Sequence, residues 1–134
     1  MQIVLQGDAL EALIAEIFPQ VDGDFRVEEI TDEGIRMRLR VADKHLRPGG
    51  TVSGPAMFSL ADCAMYLAVM SRIGAEALTV TTNCSIDFMR KPEAGRDLLC
   101  ELRLLKLGRS LAVGDCLIYS EGAELPVARA SLTY

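Results

Sequence analysis

The stretch from Pro55 to about Ile73 constrains the fold more than any other part of the chain. Ala56, Met57, Phe58, Leu60, Ala61, Ala64, Met65, Leu67, Ala68 and Val69 make a helix here apolar almost all round. A helix of that kind has to be buried on most sides. Ser53 or Gly54 suits the cap, and Pro55 suits the first turn, where a missing N–H costs nothing. Gly74 suits the stop.

The flanking sequence alternates with period two and supplies the cover. Ile35, Met37, Leu39 and Val41 fall on one side of a strand, with Arg36, Arg38 and Arg40 on the other. That is an antiparallel strand with one wet face. The arginine row reads as solvated strand positions or as an anion site. An earlier strand is expected over Phe25–Ile30, with a turn at Asp32-Glu33-Gly34. Beyond the helix, Leu78 to Met89 alternates, with Leu78, Val80, Thr82, Cys84, Ile86 and Phe88 on one side. Leu98–Leu107 is a long apolar strand, Gly108-Arg109 reverses it into Ser110–Ser120, and Glu121-Gly122-Ala123-Glu124 leads to Leu125–Tyr134. A short helix precedes all of this. Asp8 and Glu11 have capping-box spacing, Leu10, Leu13, Ile14 and Ile17 follow at helical intervals, and Pro19 ends it. About six strands, with one long helix between the second and third, define an α+β fold with a mainly antiparallel sheet. A length of 134 residues suits one domain over 1–134.

Charge and cysteine usage exclude several functions. A net charge of -5 argues against nucleic acid as a general partner. The N-terminus has no basic region, so no signal peptide is expected, and the longest unbroken apolar run, Ala64–Met70, is too short to span a membrane. Cys63, Cys84, Cys100 and Cys116 lie far apart beside a single His45, which disfavours a structural zinc site. Buried reduced thiols in a cytoplasmic protein are the expectation.

One residue contradicts its surroundings. Asp62 is the only carboxylate between Gly49 and Gly74, and an ionised carboxylate is expensive to bury unless paired or solvated. Ser59, Asp62 and Tyr66 share a helix face above Pro55. The stripe is either the wet side of the helix or a functional site: it carries a hydroxyl, a short acid and a phenol where a wet side normally carries Lys, Glu or Gln. The helix N-terminus after Gly49-Gly50 and Ser53-Gly54 is a second candidate, because its free amides can polarise a carbonyl.

The segment His45-Leu46-Arg47-Pro48-Gly49-Gly50-Thr51-Val52-Ser53-Gly54-Pro55 followed by Leu60-Ala61-Asp62-Cys63-Ala64 resembles the signature of hotdog-fold acyl-CoA thioesterases of the phenylacetic-acid-degradation type. In that family His-x-Asn-x-x-Gly-x-x-His-Gly-Gly leads to Leu-Ala-Asp-x-Ala. Asn83 to Pro92 resembles the family's third strand with its Phe-x-Arg-Pro end, and Leu107-Gly108-Arg109 its hairpin. The likeness runs from about Phe25 to the C-terminus. It implies a six-stranded sheet wrapped around the long helix, and a thioester hydrolase needing no cofactor or metal. Asp62 would attack the thioester or activate water, and the Gly54 amide would hold the carbonyl oxygen. Eight residues of helix separate Gly54 from Asp62, about 12 Å at roughly 1.5 Å each, so a twofold pairing of chains would bring Asp62 of one to Gly54 of the other. A homodimer, or a tetramer of two dimers, is expected.

Acyl-CoA is the expected partner, its phosphates near Arg90, Lys91 or Arg109. Asn83 and Ser85 share a strand face and would either bond the thioester or the pantetheine amide or only finish the sheet's polar side, and Ser59 and Tyr66 border the acid. Arg47 replaces the family's Asn, Ser53 its second His and Pro55 its second Gly. Proline has no N–H, so one oxyanion donor is lost. Ser53 is left as a hydroxyl donor beside Gly54, and a non-hydrolytic acyl-CoA binding module is the alternative. A hotdog dehydratase would pair a catalytic His with an acid, and the sequence around His45 has no local acid pattern like that family's.

Overall fold

The computed structural model describes residues 2–17, 23–74, 80–93 and 95–134. Their elements run α1 (Gly7–Ile17), β1 (Phe25–Ile30), β2 (Gly34–Leu39), a 3-10 turn (Asp43–His45), α2 (Gly54–Ile73), β3 (Asn83–Phe88), β4 (Leu98–Leu107), β5 (Ala112–Ser120) and β6 (Ala128–Thr133). The strands form one sheet in the order β1-β2-β4-β5-β6-β3, with every neighbouring pair antiparallel. The chain leaving β2 therefore has to cross beneath β4, β5 and β6 before β3 can take the far edge. The long helix α2 makes that crossing, which is why its surroundings are apolar on nearly all sides.

The sheet makes room for the helix with small side chains. Leu98, Cys100, Leu102 and Leu104 of β4 face α2, but the inner row of β5 reads Ala112, Gly114, Cys116, Ile118, and that of β6 Ala128, Ala130, Leu132. At Gly114 the approach is closest: a Cβ there would lie 2.7 Å from Met65 Sδ and 3.1 Å from the Arg103 carbonyl oxygen. Leu60, Met65, Leu67 and Met70 of α2 are fully buried in this trough, each contributing about 1.5–3 kcal/mol. By length and composition α2 could cross a membrane, but 78% of its most apolar window is buried inside the fold.

On the opposite face of the sheet Arg36 and Arg38 of the arginine row are laced into ion pairs, while Arg40 lies past the end of β2 and is exposed. Arg36 lies 3.3 Å from Glu101 and 3.7 Å from Glu29. Arg38 bonds Asp97 at 3.0 Å, Glu121 at 2.8 Å and also Glu28, and these carboxylates raise its pKa above the usual guanidinium value. Neither arginine is free to receive an external anion on its own.

Several details differ from the sequence expectations. Glu11 does not close a capping box on α1: its Oε1 accepts the Val27 amide at 2.8 Å, tying the helix to β1. β2 ends at Leu39, short of the expected Val41, although the Arg40 amide still bonds the Asp24 carbonyl at 2.8 Å in the β1–β2 register. The expected Leu78–Met89 strand is shorter. β3 spans Asn83–Phe88, and Val80 stands 64% exposed ahead of it. The reversal between β4 and β5 occupies the four residues 108–111, closed by the Gly108 amide on the Leu111 carbonyl at 2.8 Å. Pro19 and Leu78 lie outside the described residues. All four cysteines are free thiols, with Cys100 and Cys116 buried and Cys63 and Cys84 half-buried.

Candidate functional site at the start and middle of α2

The loop before α2 is built to deliver one backbone amide. Gly49 and Gly50 take φ of 104° and 87°, a left-handed turn that only glycine adopts without strain. The Arg47 amide donates to the Thr51 carbonyl at 2.8 Å, and the Ser53 amide to the His45 carbonyl at 2.7 Å. Ser53 then caps the helix, its Oγ accepting from the Ala56 amide at 3.2 Å. Pro55 has no N–H, and the Met57 amide takes the Ser53 carbonyl at 3.2 Å. That leaves Gly54 N–H as the amide of the first turn with no acceptor among the described residues. The Phe88 ring of β3 lies beside Gly54: a Cβ there would stand 3.2 Å from Phe88 Cζ.

His45 has an acid partner that its sequence neighbourhood did not reveal. Its Nδ1 accepts from the Ala42 amide at 2.9 Å, so the proton sits on Nε2, 3.5 Å from Asp24 Oδ2. Asp24 also pairs with Lys44 at 2.8 Å. The ring is buried and both nitrogens are engaged, so its visible work is to hold the loop that ends in Ser53. A cavity of about 220 Å³ lies between these residues and Ser53, Pro55, Ala56 and Ser59.

Asp62 lies on the one face of α2 that the sheet leaves open. Pro55, Phe58 and Ser59 are exposed on that face and Asp62 is half-buried. Its Oδ1 accepts from Thr81 Oγ1 at 2.5 Å and from Tyr134 Oη at 2.6 Å, and Tyr134 Oη also lies 2.9 Å from the Asp62 carbonyl oxygen. Burial first, and then the bonded carboxylate, push the Tyr134 phenol above its usual range. Burial does the same to the neighbouring Cys63 thiol. Tyr66 lies one turn beyond Asp62 and two beyond Ser59. It is buried, with its ring centroid 6.4 Å from that of Tyr134. The stripe therefore grades from an exposed hydroxyl, through a half-buried acid, to a covered phenol. Sequence reasoning missed Thr81 and Tyr134, which lie 19 and 72 residues from Asp62.

The other candidates are more scattered. Asn83 and Ser85 are exposed and alternate with Cys84 and Ile86, so they look away from α2. Arg90 and Lys91 come together in a groove of about 350 Å³ that also holds Glu93 and Glu124. Arg90 donates there to the Pro126 carbonyl at 2.8 Å. Arg109 is exposed in the β4–β5 hairpin. Since Phe88 pairs with Ala128, and Ala128 with Ile118, while Asn83 pairs with Thr133, and Thr133 with Val113, Arg109 and the Arg90–Lys91 pair mark opposite ends of the sheet. A larger groove, about 500 Å³, is lined by Arg36, Arg103, Asp115 and Arg129 on the outer sheet face, remote from Asp62.

A six-stranded antiparallel sheet curled around one buried helix is the hotdog fold. Residues 49–127 match the family model described as the thioesterase superfamily, and the chain belongs to that superfamily. Among solved structures, it is similar to a protein of Silicibacter sp. TM1040 described as a candidate thioesterase. That match has 58% identity and a TM-score of 0.94, covering 100% of this chain and 93% of the other. A mutant of the phenylacetic acid degradation protein PaaI from Thermus thermophilus matches at 26% identity and TM-score 0.73, covering 86% and 96%. A hypothetical thioesterase from Streptococcus pneumoniae TIGR4, solved with coenzyme A, matches in fold at 23% identity and TM-score 0.73, covering 83% and 86%. The chain is also 30% identical over 107 residues to a ribosomal RNA large subunit methyltransferase E of Chromobacterium violaceum, but spans only 47% of that protein.

Proposed function

We propose that this protein hydrolyses acyl-CoA thioesters at a site shared by two copies of the chain. Asp62 is the nucleophile or general base, and the Gly54 amide is the donor to the carbonyl oxygen. The observation that carries the reading is the oriented carboxylate of Asp62 on the open face of a helix whose N-terminus presents one unengaged amide. When the thioester carbon is attacked, its oxygen takes negative charge, which an N–H at the positive end of a helix stabilises. Either the carboxylate adds to that carbon and water opens the resulting anhydride, or the carboxylate takes a proton from the attacking water. In both routes the carbon–sulfur bond breaks, the thiolate takes up a proton, and a free acid and the CoA thiol leave.

Two features support a second chain. The far edge of β3 has no strand partner among the described residues, and unpaired edges invite pairing. Beside it Phe58, Val80, Phe88 and Met89 are exposed by 39, 64, 52 and 43%, an apolar surface that a twofold-related copy would cover. Such a copy would bring its Gly54 to this chain's Asp62 across the roughly 12 Å that eight helical residues impose, and two such dimers can join as a tetramer. Ser59 would border the shared cleft. Arg90, Lys91 and Arg109 would reach the CoA phosphates from different chains, a use of local positive charge that an acidic protein needs for a polyanion. The streptococcal neighbour's coenzyme A supports this ligand class. Four free thiols support a reducing, cytoplasmic setting.

One observation favours binding without cleavage. Pro55 offers no N–H, so Gly54 is the one backbone donor left there beside the Ser53 hydroxyl, and the loss of one oxyanion donor typically costs ~100-fold or more in rate. Incubating the protein with a panel of acyl-CoAs and a thiol reagent separates the readings. Hydrolysis predicts CoA release that Asp62→Asn abolishes and a dimer or larger assembly in sedimentation. Tight binding of acyl-CoA without release by the native protein identifies the binding module.

A further inference from the structure

We propose that Tyr134 is a positioning residue for Asp62: together with Thr81 it occupies Oδ1, so that Oδ2 is the oxygen that meets the substrate. The inference rests on the reading of Asp62 as the reacting carboxylate and goes beyond it by assigning the working atom and the groups that select it.

The geometry is asymmetric. Oδ1 receives hydrogen bonds from both Thr81 Oγ1 and Tyr134 Oη, whereas Oδ2 has no donor among the described residues. A carboxylate held by one oxygen loses its freedom to spin about the Cβ–Cγ bond, and the other oxygen keeps its lone pairs for a proton or a carbonyl carbon. The phenol is itself immobile. The Tyr134 amide donates to the Ala112 carbonyl at 2.8 Å and the Ala112 amide to the Tyr134 carbonyl at 2.9 Å, fixing the residue to the start of β5. Its ring packs beside buried Tyr66.

The chemistry of the donors suits the task. No lysine, arginine or histidine pairs with Asp62 among the described residues. Neutral hydroxyls can hold an ionised carboxylate without cancelling its charge. The titratable groups facing Asp62 are Cys63 and Tyr66 on α2, Cys84 on β3 and Tyr134 after β6, with Cys116 of β5 behind Cys84. Burial raises Cys63, Cys84, Tyr66 and Tyr134 above their usual values. All four are neutral at neutral pH, so none adds a charge beside the carboxylate.

The test compares the native protein with Tyr134→Phe and Thr81→Val, by steady-state hydrolysis of an acyl-CoA and by the carbon-13 chemical shift of the Asp62 carboxyl at neutral pH, identified by its loss in Asp62→Asn. Removing the phenol should move the carboxyl resonance and lower kcat about tenfold with KM within about twofold, as expected of a misoriented rather than a missing group. Thr81→Val should act in the same direction. A carboxyl resonance unmoved by Tyr134→Phe overturns the proposal, and if that variant fails to fold, Thr81→Val decides on the same oxygen. Turnover at the native rate in Asp62→Asn would remove Asp62 as the reacting carboxylate instead, while the carboxyl resonance would still decide whether Tyr134 holds it.

Discussion

Gly114 is where the fold leaves least room, and replacing it tests how α2 is seated. A Cβ at this position would stand 2.7 Å from Met65 Sδ, about 1 Å inside an ordinary carbon–sulfur contact. Met65 is fully buried, so its thioether has no solvent to swing into. The second neighbour, the Arg103 carbonyl oxygen at 3.1 Å, belongs to the paired strand and cannot retreat without loosening the ladder. Overpacking of this kind costs about 1–3 kcal/mol. In a domain of this size that lowers Tm by roughly 4–12 °C, at about 4 °C per kcal/mol. Met65→Ala alone should cost about 2–5 kcal/mol by opening a cavity. The double variant should be more stable than the sum of the two, by about 1–2 kcal/mol, because truncating Met65 makes room for the new methyl. Urea unfolding of the four proteins in the cycle measures this directly. Strict additivity, within about 0.5 kcal/mol, would refute the claim that Met65 is what Gly114 accommodates.

Other predictions concern the site and pH. Gly54→Ala places its Cβ 3.2 Å from a Phe88 ring that is 52% exposed. The ring can move aside, so stability should change by less than about 1 kcal/mol while thioester turnover falls. A stability loss as large as that of Gly114→Ala would contradict this. The raised thiol and phenol pKa values fix the alkaline behaviour. The unfolded chain ionises its thiols near 9.0 and its phenols near 10.0, while folded Cys63, Cys84, Tyr66 and Tyr134 still hold their protons. The folded state then binds more protons than the unfolded one, so their contribution is complete below about pH 9 and is lost as pH rises above it. Denaturant midpoints should fall between about pH 9 and 10.5, and a midpoint flat over that interval would count against the burial of these groups.

How much of this was legible depended on how far each signal reaches along the chain. The apolar surface of α2, the Ser53 cap, Gly74 as its stop and the alternation of β2 are local patterns, and each element formed within a residue or two of its expected place. Asp62 stood out because a carboxylate among Leu60, Ala61 and Cys63 conflicts with its neighbours. Its partners did not, because Thr81 and Tyr134 are ordinary residues in strand-like sequence until β3 pairs with β6 and brings them to one point. The same holds for Asp24, whose contact with His45 needs the chain just before β1 folded against the loop before α2. Glu11 shows the converse: its spacing fits a cap, but the Val27 amide on the adjoining strand competes for the carboxylate and wins. Spacing on one helix could place Ser59, Asp62 and Tyr66 on one side, but not say that only the last would be covered.

The hold on Asp62 ties the site to a single pairing of strands. Tyr134 follows β6 and Thr81 precedes β3, and those two meet in a register that sets Asn83 opposite Thr133. A slip of one residue would turn each side chain to the other face, and the phenol would leave the acid with it. The last seam of the sheet to reach the far edge thus acts as a gauge of correct folding: a molecule zipped one step out of place could keep most of its secondary structure and still lose the aim of its carboxylate.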